Sequence, residues 1–148
     1  MKSLRLVGLI LVLYTCTVSG FAQQSQIYRD ADADFKTGIE LFQKEKYSAA
    51  QKSFVKTIET HRDPQSLVRI DAEFYRAVCA IELFNKDGEF YLKQFVKEHP
   101  ESPKVKTAYF YLGQYNYRKQ KWREVLDWFE KVDVYDLSAD ELPEFYFK

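Results

Sequence analysis

Two stretches of this 148-residue chain repeat one another at fixed offsets. With Gly38 aligned on Gly113, Tyr47 meets Trp122 nine residues on, Ala50 meets Val125 three further, and Phe54 meets Phe129 four beyond that. A unit recurring in this way is one supersecondary element stacked on copies of itself, so the repeat constrains the fold more than any local propensity does. The residue types say how the unit packs. Glycine in a helix interior costs about 1 kcal/mol relative to alanine, so Gly38 and Gly113 need a reason. Close approach of two antiparallel helices supplies it: small residues meet at the contact, and Tyr47, Phe54, Trp122 and Phe129 fill the space around it.

A middle copy lies between the two. Phe74 to Ala77 matches the first-helix signature with Ala77 in the glycine position, and Phe95 takes the second-helix phenylalanine position. The step from Ala77 to Phe95 is 18 residues where the other copies have 16. Two extra residues therefore fall around Asn85-Lys86-Asp87-Gly88, where Asp-Gly reads as the turn between helices. Asp63-Pro64 and Ser102-Pro103 each place a capping side chain before a proline at the first helical position, so each proline is expected to open a first helix. His99-Pro100 closes the second helix of the middle copy, because the residue before proline is disfavoured in the α region. The spacing predicts helices over 29–44, 46–61, 64–86, 88–98, 103–119 and 121–132, with a seventh from Pro143. Five Gly and four Pro are too few for the tight turns of an all-β chain.

Twelve residues from Gly to the Ala-type position and four more to Phe, with Leu112-Gly113 as a Leu-Gly pair and Tyr109 ahead of it, follow the 34-residue tetratricopeptide pattern. Over roughly residues 30–148 the chain resembles the tetratricopeptide repeat family. The stretch Phe95 to Gly113, FVKEHPESPKVKTAYFYLG, is similar to repeats of bacterial cell-envelope proteins of the outer-membrane β-barrel assembly lipoprotein and Tol-Pal accessory type. The resemblance implies an all-α solenoid of antiparallel helix pairs in a right-handed superhelix. Three repeats are expected at 34–62, 70–100 and 105–135, with the start of a fourth within 34–148.

The family's concave face, lined by first helices, commonly binds peptides. Its groove positions fall three before, one after and four after the glycine position. In the first copy these are Phe35, Ile39 and Phe42, in the middle copy Phe74, Val78 and Ile81, and in the third Phe110, Gln114 and Tyr117. The Lys, Asn and Arg clamp of the chaperone-binding branch is missing from them. An apolar groove of this kind would take an amphipathic helix or an extended hydrophobic segment. The competing reading is that the stripe is core, as aromatic stripes at helical spacing usually are. The repeat-packing residues expected are Gly38, Tyr47, Ala50, Phe54, Ala77, Phe95, Gly113, Trp122, Val125 and Phe129.

Ahead of the repeats, Lys2 and Arg5 form a short basic region, Leu6 to Val18 is an uncharged apolar run, and Ser19-Gly20-Phe21-Ala22 offers small residues for cleavage. This is a signal-peptide pattern over 1–22, followed by a lead-in over 23–33. The alternatives are an uncleaved anchor and a lipoprotein signal ending at Cys16. The expected place is the periplasm or the periphery of the outer membrane. Cleavage would leave Cys79 alone, so no internal disulfide could form. Cys79 reads as a small core residue.

With 22 Lys+Arg against 22 Asp+Glu and no tract of one sign, the chain lacks the electrostatic footprint of nucleic-acid binding. Asp30, Asp32 and Asp34 imitate a calcium loop, but Phe35 and Leu41 stand where Gly and Glu are needed. His61-Arg62-Asp63 copies a kinase tripeptide without the following Asn. His61 and His99 stand without a metal-ligand motif. No catalytic, metal or cofactor residues are assigned. The expectation is therefore an exported, non-catalytic scaffold for protein or peptide partners in the cell envelope. It is expected to be the N-terminal part of a longer array, able to self-associate through an unfinished last repeat. A helical glycan-uptake protein stacking sugars on aromatics is the alternative.

Overall fold

The computed structural model describes residues 33–147 apart from 138 and 140, and every described element is helical. The signal-peptide pattern expected over 1–22 and the lead-in up to residue 32 lie outside them. Helix α1 covers 33–43, α2 Tyr47–Thr60, α3 Leu67–Glu82, α4 Gly88–Glu98, α5 Lys104–Arg118 and α6 Trp122–Phe129. A 3₁₀ turn, Val134–Asp136, precedes a short α7, Leu142–Phe147. Consecutive helices pack as hairpins, and α3 also packs directly on α5.

The glycine positions do what the repeat predicts. A methyl group on Gly38 would stand 2.6 Å from the Phe54 ring, and one on Gly113 would overlap the Phe129 ring. The second helix lies so close to the first that its phenylalanine rests on bare backbone. Three residues before each glycine position, Phe35, Phe74 and Phe110 meet the same phenylalanines, at centroid distances of 5.9 Å to Phe54, 5.4 Å to Phe95 and 6.1 Å to Phe129.

Each first helix ends in the same way. The residue seven after the glycine position, Glu45, Phe84 or Gln120, has φ of 56°, 56° or 58°. Its N–H donates to the carbonyl three residues back, and the next N–H donates to the carbonyl five residues before it: Lys46 to Leu41, Asn85 to Ala80, Lys121 to Asn116. This pair of bonds is the Schellman motif, whose left-handed position favours glycine. None of the three is glycine, and each non-glycine residue there costs roughly 1–2 kcal/mol. The connection has three residues after α1 and α5 (44–46 and 119–121) and five after α3 (83–87), which is the insertion read from the sequence.

One local expectation is corrected. Pro64 does not open α3: Asp63 Oδ1 accepts from the Gln65 N–H at 2.9 Å, closing a separate turn, and the helix begins at Leu67. Ser102-Pro103 does behave as expected, with Ser102 Oγ accepting from the Lys104 N–H at 3.3 Å and Pro103 in helical conformation. Gly88 is the first residue of α4, where the spacing places it. It is needed for approach, since a Cβ there would lie 2.9 Å from the Ala80 carbonyl carbon.

The core is continuous across the hairpins because α3 is buried on two sides. Ala72 and Cys79 pack with Ala50 and Phe54 of the first hairpin, while Phe74, Ala77, Val78 and Ile81 pack with Leu92, Phe95, Ala108 and Leu112. Tyr75 and Phe42 touch both clusters. The left-handed turns give a direct test. Gln120 is exposed, so Gln120→Gly removes backbone strain without removing packing, and it should raise stability by about 0.5–1 kcal/mol in urea unfolding.

Candidate partner groove

The nine groove positions are distributed differently from the expectation. Phe74, Val78, Ile81, Phe110 and Gln114 are buried; the first three pack between helices in the core, while Phe110 and Gln114 reach the wall of a small cleft. Phe35 and Ile39 are half-buried against Phe54 and its neighbours. Phe42 and Tyr117, four after the glycine position, each staple their own turn: Phe42 meets Tyr47 at 5.5 Å and Tyr117 meets Trp122 at 5.3 Å. The physical reason is that one flank of each first helix faces its own second helix and another faces the next hairpin, which leaves little of the apolar stripe for a ligand. Of the packing residues, Gly38, Ala50, Phe54, Ala77, Phe95, Gly113 and Val125 are buried, and Tyr47 and Phe129 half-buried. Trp122 departs from this, with 57% of its surface exposed.

What the first helices do present is polar. A cleft of about 240 Å³ is lined by Tyr47, Glu82, Phe110, Tyr111, Gln114, Arg118 and Glu141. At its centre Arg118 Nη2 donates to both oxygens of Glu82, each at 3.0 Å. The two residues stand five after the glycine position in neighbouring copies, so the ion pair ties the end of α5 to the end of α3. Tyr111 donates to Glu141, and burial, followed by the carboxylates of Glu141 and Glu82, raises its phenol above the ordinary range. Tyr47 is shifted the same way by burial, then by Glu82 and Glu45. Both hydroxyls are thus held protonated as donors beside an ion pair. Two phenols, an amide, a guanidinium and two carboxylates in one cleft can pair with a peptide backbone or a polar side chain.

These residues carry a sequence signal that the glycine-based groove positions pass over. Glu82 and Arg118 occupy one offset with opposite charge, and Tyr75 and Tyr111 share another, two before the glycine position.

A second polar cluster joins the far ends of the helices. Glu73 accepts from Arg69 Nε at 2.9 Å and sits 2.8 Å from His99 Nε2. Arg69 Nη1 also donates to the carbonyls of His61, at 2.9 Å, and Ile58, at 3.4 Å, where α2 ends. Glu73, Glu98 and His99 bring donor atoms within 4.8 Å of one another, but Glu73 is already shared between Arg69 and His99, and Glu98 accepts from Gln94 at 2.9 Å. The adjacent guanidinium opposes a cation there, and the arrangement reads as a joint between α2, α3 and α4.

No family model, curated protein or solved structure matches the chain. The side chains themselves therefore carry the functional argument. Cys79 is fully buried, and burial pushes its thiol up to about 12. At neutral pH it is a thiol rather than a thiolate, and it has no route to solvent. Alkylation followed by mass spectrometry should label Cys79 only under unfolding conditions. Labelling of native protein at the rate of a free peptide thiol would contradict this packing.

Proposed function

We propose that this chain is an exported tetratricopeptide-type scaffold of a bacterial cell envelope that binds other proteins without catalysis. The observation that carries the reading is recurrence in space. The turn, the glycine contact and the aromatic pair fall at the same offsets in copies whose sequences otherwise differ. Such a chain builds a surface from repeated hairpins, and its chemistry is complementarity. Export is supported by the leader pattern of residues 1–22. Among the described residues no helix is long and apolar enough to cross a membrane.

Within this reading the partner-binding feature is the Tyr47, Glu82, Tyr111, Gln114 and Arg118 cleft, in place of the apolar stripe. A partner would enter as an extended segment whose amides and polar side chains meet the two phenols and the ion pair. Tyr47→Phe combined with Tyr111→Phe removes both hydroxyl donors while keeping the rings, so the fold should persist. Envelope proteins captured by the immobilised chain should bind the double variant about tenfold more weakly, with far-UV circular dichroism unchanged. Equal capture by both would remove the cleft from the proposal.

The exposure of Trp122 supports a second reading, in which the protein stacks a sugar ring on this indole. Soluble glycans quenching tryptophan fluorescence would favour that reading over the scaffold.

A further inference from the structure

The two ends of the helices differ in their balance of exposed charge. Glu82 and Arg118 lie at the ends of α3 and α5 and touch, and Leu83 shares a shallow cleft with Glu45, Lys46 and Tyr47 of the first turn. The turns after α1, α3 and α5 therefore lie along one edge. That edge exposes Lys44, Lys46, Lys86, Lys119, Lys121 and Arg123, against Glu45, Asp87 and Glu124. The opposite edge has an acidic excess: Glu59, Asp63, Glu98, Glu101, Glu130, Asp133 and Asp136 are exposed there, against Lys36, Arg62, Lys97, Lys106 and Lys131.

The cationic edge also carries exposed apolar side chains. Phe84 in the second turn is 64% exposed, Phe90 at the start of α4 63%, Trp122 at the start of α6 57%, and Leu126 one turn further 66%. Phe84 is the most informative of these. It occupies the left-handed position of its turn, where glycine fits best and a bulky ring worst. Its ring is not tucked into the core but stands under the Arg118 guanidinium, 4.9 Å from the ring centroid. A strained backbone that holds an aromatic ring out beside cations points to a contact made outside the chain.

We propose that this turn edge docks on a bilayer surface carrying anionic headgroups. Aromatic and leucine side chains would enter the interfacial layer while the surrounding lysines and arginines meet lipid phosphates. Amphipathic aromatics and flanking cations are the side chains that anchor proteins at this depth. Each lysine near an anionic surface strengthens binding several-fold, and the attraction fades within a Debye length. The acidic opposite edge would then face away from the membrane. An acidic protein is the other occupant the charge pattern allows, but a row of separately protruding apolar side chains suits a fluid interface better than a shaped protein pocket.

The test uses the full chain carrying Trp128→Phe, which leaves Trp122 as the only tryptophan and makes the reading specific to this edge. Vesicles of phosphatidylcholine mixed with phosphatidylglycerol should shift Trp122 emission to the blue, vesicles of phosphatidylcholine alone should not, and added salt should reverse the shift. Lys119→Gln with Lys121→Gln should weaken binding about thirtyfold. Phe84→Gly should weaken it as well while leaving thermal stability equal or higher, a combination that damage to the fold would not produce. An emission that ignores anionic vesicles overturns the proposal, and so does equal response to both vesicle types. A shift caused by polyglutamate but not by phosphatidylglycerol would reassign the edge to an acidic protein and overturn the lipid assignment.

Discussion

The structure depends on one seating of aromatic rings. In each hairpin the phenylalanine of the second helix rests on the glycine or alanine position of the first, and a phenylalanine three residues earlier lies against it. The ring two residues before the next copy's glycine position then closes over that pair. Tyr75 lies 5.4 Å from Phe54 and 6.4 Å from Phe35. Tyr111 lies 6.3 Å from Phe74. Phe145 lies 5.0 Å from Phe129 and 6.4 Å from Phe110. Each such pair contributes about 0.5–1.5 kcal/mol beyond the area it buries. A hairpin alone would leave its aromatic pair in water, so stability lies as much in the joints between hairpins as within them.

That arrangement explains why the apolar stripe of the first helices is not an open groove. The stripe is consumed by the hairpin's own second helix on one flank and by the next hairpin on the other, which is why α3 is buried on two sides. The free surface is left to the hydroxyl and charged groups at the rim of the seating and to side chains outside it. They are of two kinds, the phenols and the Glu82–Arg118 pair of the cleft, and the cations and apolar tips of the turns. The proposed binding surfaces are what repetition leaves over, and they differ from copy to copy for that reason.

Much of this was legible in the sequence because it rests on period. Gly38, Gly113, Phe54 and Phe129 announce the hairpins, and the two-residue excess between Ala77 and Phe95 appears as a longer connection after α3. What was not legible falls into two classes. Left-handed turns filled by Glu45, Phe84 and Gln120 give no compositional signal, since the glycine that usually marks them is absent and Gly88 stands nearby for another purpose. The depth of Phe74 and Phe110 depends on which neighbour covers each flank, and that is a property of stacking between copies rather than of any one helix. The tyrosines at 75 and 111 were readable in principle from their shared offset, but only once the glycine position is known to be a contact between helices.

Tyr75 is the joint on which the account can be tested most directly, because its ring touches Phe35, Phe42, Phe54 and Phe74 at once. The measurement is residue-resolved amide hydrogen exchange under native conditions on Tyr75→Ala. If the hairpins are joined in series through these rings, α1 and α2 lose most of their protection, while α5 and α6, held by Phe110, Phe129 and Tyr111, keep theirs. Uniform loss across all helices, or no loss in the first hairpin, would contradict a structure assembled ring by ring.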